Sequence, residues 1–428
     1  MLNPTSMNIS KKDNFSILSI SFVVLAVFIF LSEWIQKIGF INFPSGLRHI
    51  LILFLFIFNW FFFGRKIKIS RHYLLFLIFL FFYLNLAFYF SNASLVSYIL
   101  GVLFTFLYLI IFILASNTRS SINTIINIFN SLLIFVILMS ILPISQGIVE
   151  KSTLRWLPGL FREVGAFGSA MNTATILSLS LFIITQKKKY VYFAIFLSFG
   201  VLMTILKKTM ISNVIVWLFF FFYLLKSELK PKMIIYSLIF IFLAIIIYGK
   251  DLLSNIEENQ LYIDNAGIDG HVRIGMYLAS FNIIKDFFPF GSGLGTFGSL
   301  ASIAVGYSNV YYDYGVADIG RNSAEDVLNG HHTLLDTFWP HIVGELGIIG
   351  TILFLYFWLY PVFKSFKFLK ISSNPFLKSI SFFVVSMIIT ISWEGFSLYT
   401  PEVPIFIMLN SGLGGLCYFH IKSQNELH

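Results

Sequence analysis

His271-Val272-Arg273, Pro289-Phe290-Gly291-Ser292-Gly293-Leu294-Gly295-Thr296-Phe297-Gly298 and Gly330-His331-His332 punctuate residues 250–340, the one long stretch of this chain that is not a greasy run. Around it the composition is extreme. Apolar residues make up 57% of 428 and charged ones 11%, with a mean hydropathy of +0.85, which excludes a soluble globular chain. The chain reads as an all-α polytopic membrane protein. Within it, 91 consecutive residues held out of the bilayer carry arginine, glycines and paired histidines, so the chemistry is expected there.

Outward from that stretch, runs of the length that suits a hydrocarbon core fall near 15–32, 47–63, 73–90, 94–115, 122–144, 167–185, 190–206, 210–225, 233–249, 341–363, 379–399 and 404–420. About twelve transmembrane helices follow, in three parts: residues 1–249 with helices one to nine, a large outer loop at 250–340 between helices nine and ten, and residues 341–428 with helices ten to twelve and a tail. Lys11 and Lys12 before the first run imitate a secretory signal, but Ser32-Glu33-Trp34 follows where a small-x-small cleavage site would stand, so an uncleaved helix is expected. With the N-terminus inside, inner segments carry 18 of the 29 basic residues against three of the 20 acids. That agrees with the positive-inside rule and puts both termini in the cytoplasm. It also explains a pI near 9.3 without a nucleic-acid partner, since the excess is spread over short loops. The single cysteine, Cys417, lies in a late apolar run and removes disulfides and thiol redox pairs from consideration.

The basic residues left on the outer side oppose that rule and are therefore informative. Arg162, beside Glu163, precedes span six; Lys207 and Lys208 occupy a short hinge between spans seven and eight; Arg273 opens the central segment. Two adjacent ammonium groups in a helix hairpin with no acid nearby in sequence fit a visiting anion; neutralisation by neighbouring acids is the alternative for the others. From Ile274 the positions Tyr277, Leu278, Phe281, Ile284 and Phe288 keep helical spacing and predict a helix with one greasy face that can lie on the membrane surface. Gly293-x-Gly295-x-x-Gly298 matches a dinucleotide fingerprint only formally, because it follows a helix ended by Pro289 and not a strand. Such glycines either let backbone amides approach a phosphate or a sugar, or simply reverse the chain. Tyr307, Tyr311, Tyr312 and Tyr314, interleaved with Asp313 and Asp318, suit sugar rings or packing of the loop on itself. His331 and His332 are candidate bases for a sugar hydroxyl; a metal site with His341 and a solvated loop are the other readings. Glu345 and Glu394 are the acids placed inside spans; the positive helix start favours the Glu345 carboxylate, and Glu394 is expected to pair with one of the outer basic residues.

Three stretches together resemble the O-antigen polymerase and O-antigen ligase superfamily of bacterial inner-membrane proteins, and within it the Wzy-type polymerases. Leu160-Phe161-Arg162-Glu163-Val164-Gly165-Ala166-Phe167 is similar to the family's outer arginine and Gly-x-Phe segment. Arg273 to Phe297 is similar to its arginine, helix, Pro-x-x-Gly-x-Gly-x-x-Phe segment, and His331-His332 with Glu345-Leu346-Gly347-Ile348-Ile349-Gly350 to its histidine, Glu-Leu-Gly-x-x-Gly segment. The likeness covers roughly residues 150–365. It implies a periplasmic-face glycosyltransferase that joins undecaprenyl-diphosphate-linked oligosaccharide units, needs no cofactor and no metal, sits among membrane lipid, and works beside a chain-length regulator and a flippase. Arg162, Arg273, Lys207 and Lys208 would hold diphosphate, and His331 or His332 would be the base; Glu163, Glu345, Glu394 and His341 would support them. Two departures stand out. Lys207-Lys208-Thr209 occupies the hairpin where many members have Ser-Arg, and the long gap from His332 to Glu345 leaves His341 as a rival base. A ligase transferring glycan to lipid A core is the nearest alternative, and a transporter of the lipid-linked unit the next.

Overall fold

The computed structural model describes residues 17–37, 46–64, 66–91, 93–149, 164–224, 272–305, 307–318, 322–328, 333–335, 337–396 and 403–425. Among these residues the chain is helical, and the only strand-like pairing is an isolated bridge between Gly64 and Thr118. The first eight helices are α1 (Ile17–Lys37), α2 (Leu47–Phe63), α3 (Arg71–Tyr89), α4 (Leu95–Ala115), α5 (Ile122–Val149), α6 (Val164–Thr185), α7 (Lys189–Met203) and α8 (Lys207–Leu224). After α9 (Val272–Asp286) come the short turns α10 (Leu300–Ala304), α11 (Val310–Asp313) and α12 (Ala324–Leu328). The chain closes with α13 (Trp339–Ile371), α14 (Pro375–Glu394), α15 (Pro404–Ile407), a π-helical turn (Met408–Leu413) and α16 (Gly414–Asn425).

Among the described residues seven stretches are long and apolar enough to cross a membrane: α3, α4, α6, α13 and α14, residues Ile122–Ser145 of α5, and Pro404–Ser423; α1, α2 and α7 hold shorter apolar segments. Helices stand where the sequence places apolar runs, except for the expected ninth run at 233–249, which lies outside the described residues. Their starts have local causes. Ser70 and Ser94 accept the Tyr73 and Ser97 amides at 3.3 and 3.2 Å, Asn374 accepts that of Phe376 at 2.9 Å, and Pro340 and Pro375 stand in first turns, where no amide is needed.

Successive helices alternate in direction, which separates two ends of the bundle. At one, the lysine end, Lys187, Lys188 and Lys189 and, one helix pair away, Lys364, Lys367 and Lys370 are exposed. At the other, the loop end, lie α9 to α12 and the start of α13. The sides of α2 and α3 present exposed phenylalanines, among them Phe54, Phe61, Phe81 and Phe82, as a lipid-facing surface does. The centre is built on α6 and α14, which pack together; from Phe167 to Leu181 only Ala170 of α6 is not fully buried.

Candidate active site

At the loop end the described part of the central stretch does not simply hang over the bundle. Gly291 to Ser299 are all buried, threaded between the α3–α4 corner and a break in α13. The break is at Gly347, whose φ of 61° and ψ of −170° interrupt the helix. Into it fits the loop: the Ser292 amide donates to Gly344 O at 3.0 Å and the Gly293 amide to Glu345 O at 3.1 Å. On the other side the Ser97 hydroxyl donates to Gly295 O at 2.5 Å. A Cβ on Gly295 would lie 2.3 Å from Ser97 O, and one on Gly347 2.3 Å from Pro289 O. The glycines therefore permit close approach, as the sequence allows, but what approaches is the protein's own backbone. Irregular backbone inside a bundle is tolerated when its polar groups are met in this way.

Glu345 is the clasp of this lock. Its Oε1 accepts the Phe297 amide and the Ser299 hydroxyl, both at 2.7 Å. His341, one turn earlier, is fully buried and acts electrostatically on the same carboxylate, with Phe338 edge-on to its ring at 4.9 Å. Neither side chain reaches the surface. Tyr311 lies beneath the loop as well, its hydroxyl accepting the Gly298 amide at 2.7 Å, and its burial raises its pKa. The buried ring of Tyr311 stacks at a tilt on Tyr307, so this part of the tyrosine cluster packs the loop on itself.

The second acid anchors a different group. Glu394, fully buried at the end of α14, accepts from three side chains: Ser169 Oγ on Oε2, and Asn172 Nδ2 and Ser212 Oγ on Oε1, both at 3.0 Å. The close approach of α6 and α8 makes this reach possible, for Gly168 leaves only 3.0 Å between a would-be Cβ and the Thr209 side chain. Asn172 also donates to Thr209 O at 2.9 Å and accepts from Asn213 at 2.9 Å. Lys208, half-buried one residue before Thr209, acts electrostatically on Glu394. Lys207 beside it is exposed. Both project from a tight α7–α8 turn in which Ile205 holds a φ of 53°, costly for a β-branched residue. Thr204 and Thr209 staple that turn through contacts to Leu206 at 3.3 and 3.0 Å. The end of α14 is pinned in turn: Gly395 O accepts the Phe338 amide and Ser392 O the Trp339 indole, each at 2.9 Å.

The sequence neighbourhood of Lys207-Lys208 lacks an acid, and the fold brings Glu394 within electrostatic range of Lys208. Glu394 accepts three hydrogen bonds and is sealed from solvent. A different face of α6 (Ala166, Ala170) lines a narrow apolar cleft of about 70 Å³ shared with Ala26 and Phe30 of α1, Leu132 of α5 and Leu409. Arg273 is exposed in the first turn of α9, and one turn on, the Tyr277 hydroxyl donates to Phe396 O at 3.0 Å. That bond ties α9 to the chain just past Glu394. The greasy face expected on α9 exists and points away from the protein, with Leu278, Phe281 and Phe288 exposed. Arg162, Glu163, His331 and His332 lie outside the described residues.

The sequence reading passed over Arg48 and His49. Both are buried at the loop end of α2, with His49 against Phe104 at 5.1 Å. An arginine opening an apolar run is a signal for such a residue, although composition alone cannot tell a buried guanidinium from one that turns outward. No family model matches the chain, and no curated protein is significantly similar to it.

Proposed function

We propose that the protein is a glycosyltransferase of the O-antigen polymerase type, a twelve-span protein of the bacterial inner membrane with both termini cytoplasmic. It joins undecaprenyl-diphosphate-linked oligosaccharide repeat units at the periplasmic face. The observation that carries this reading is the pair Lys207 and Lys208 at the loop end, with Lys208 within electrostatic range of the buried, hydrogen-bonded Glu394. A cation at the loop end of the bundle, with exposed Lys207 adjoining it, fits the diphosphate of a lipid-linked glycan.

In the reaction the bond between the donor sugar's anomeric carbon and the diphosphate oxygen breaks, and a bond to the acceptor's terminal sugar hydroxyl forms. The hydroxyl proton passes to His331 or His332, and the electron pair leaves with the diphosphate. Lys207, Lys208, Arg162 and Arg273 stabilise the charge that develops on that leaving group. Lysine does so as a point charge, without arginine's planar fork. Glu394 acts on Lys208 through its charge, and Glu345 holds the glycine loop.

The test is the lipopolysaccharide banding pattern of a strain lacking the gene and complemented with wild type, Lys208→Ala or Arg273→Ala. A ladder from wild type alone, with core bearing one repeat unit in both variants, is expected. Core without any repeat, beside accumulated lipid-linked polymer, would identify a ligase instead, and a full ladder from both variants would refute the site.

A further inference from the structure

The lysine end of the bundle holds a pocket that the proposed reaction does not use. It measures about 270 Å³ and is bounded by Lys68, Lys364, Lys367 and Lys422 around the tyrosines Tyr73 and Tyr360. The lysines come from three places: the α2–α3 connection, the last turns of α13, and α16. No acidic side chain lines it. An orientation rule explains why lysines gather at this end but not why four converge on one cavity.

The walls are built. The Lys422 ammonium donates to Lys68 O and to Asn117 Oδ1, the latter at 3.1 Å, and Asn117 Oδ1 also accepts the Lys68 amide at 3.0 Å. These contacts clamp the α2–α3 connection to α4 and α16. Inside, the rings of Tyr73 and Tyr360 stand 4.8 Å apart. Tyr73 is 5% exposed, and its hydroxyl has no hydrogen-bond partner. A buried phenol left without an acceptor costs stability, and here its residue lines a cavity ringed by ammonium groups. An anion with several acceptor oxygens satisfies both.

We infer that this pocket binds a phosphate group, taking a hydrogen bond from the Tyr73 hydroxyl and charge from Lys364, Lys367 and Lys68. The rim favours a lipid as the bearer of that phosphate. Ile67, Phe363 and Ile371 are 44%, 69% and 72% exposed beside Lys68, Lys364 and Lys370, so ammonium groups and outward apolar side chains share one level, as at a headgroup boundary. A soluble phosphate ester carries the same chemistry.

The experiment is native mass spectrometry of the full chain in detergent with phosphatidylglycerol or phosphatidylcholine, together with melting in inorganic phosphate against chloride at equal ionic strength. Four proteins are compared: wild type, Lys364→Gln/Lys367→Gln, Tyr73→Phe, and Lys187→Gln/Lys188→Gln as a control at another turn of the same end. Wild type and the control should retain phosphatidylglycerol over phosphatidylcholine, and the Lys364/Lys367 pair should weaken this about tenfold or more. Tyr73→Phe, which removes one oxygen and leaves the ring, should weaken it less and in the same direction. If phosphatidylglycerol shows no preference but inorganic phosphate protects wild type and not the pair, the site stands with a soluble ligand. Equal retention of both lipids with no protection by phosphate would overturn the inference, as would a loss in the control as large as in the pair.

Discussion

Replacing Gly347 by alanine isolates the lock between the glycine loop and the broken helix. At φ 61° and ψ −170° the residue occupies a region that essentially only glycine enters, and an L residue there costs about 1–3 kcal/mol. The added Cβ would also fall 2.3 Å from Pro289 O and 2.5 Å from Gly291 N. Both are backbone atoms that cannot swing aside, so overpacking adds about 1–3 kcal/mol more. Two other glycines separate the contributions. Gly315 has a φ of 67° with nothing within 4 Å of a would-be Cβ, so its alanine variant carries backbone strain alone, about 1–2 kcal/mol. Gly414 is helical with open space around it, and alanine there should be neutral or stabilising by up to about 1 kcal/mol. The assay is the fraction of monodisperse protein left after heating in detergent, read by size exclusion. The expected order of stability is Gly414→Ala at or above wild type, then Gly315→Ala, then Gly347→Ala well below. Gly347→Ala melting with Gly315→Ala would refute the lock.

Asn172→Ala removes a donor from Glu394 and from Thr209 O and an acceptor from Asn213, so it should destabilise by about 2–3 kcal/mol, seen as faster amide exchange at the α7–α8 turn. Tyr314 is pushed up to about 12 from 10, by burial first and then by its hydrogen bond to Asp286. The folded form holds that proton more tightly than the unfolded one, so the contribution is complete below pH 10 and is lost as pH rises toward 12. Melting of wild type relative to Tyr314→Phe should therefore fall over that window; a constant difference would contradict it. Phe281→Trp, on the outward face of α9 where Phe281 is 61% exposed, should give blue-shifted emission quenched by spin-labelled lipid near the headgroups. Emission quenched by aqueous iodide instead would put that face in water.

How much of this was legible in sequence follows from the range of each interaction. Apolar runs are local, so helices such as α4 and α6 could be placed from composition and length. Lys208 and Glu394 each stood out as a charge in the wrong place, and the fold sets the two within electrostatic range of one another. The choice of Lys208 among several candidates depends on Gly168 drawing α6 against α8, which no local pattern encodes. The glycines of 291–298 announce close approach without saying to what; only the fold shows that the partners are Ser97, Gly344 and Gly347. Arg48 was passed over because its place at the start of an apolar run does not tell a buried guanidinium from one that turns outward. The π-helical turn at Met408–Leu413 likewise has no sequence signature: there Phe56 lies 2.3 Å from a would-be Cβ of Gly412, a packing relation between distant helices.

The role proposed for Lys208, beside Glu394, is to bind the diphosphate of a lipid-linked glycan. The direct measurement is polymer formation from a polyprenyl-diphosphate-linked repeat unit by the purified protein in vesicles, comparing wild type, Lys208→Ala and Gly414→Ala. Wild type and Gly414→Ala should extend the glycan and release polyprenyl diphosphate, and Lys208→Ala, folded and inserted, should be slower by about 100-fold or more. Undiminished polymerisation by Lys208→Ala would contradict the account.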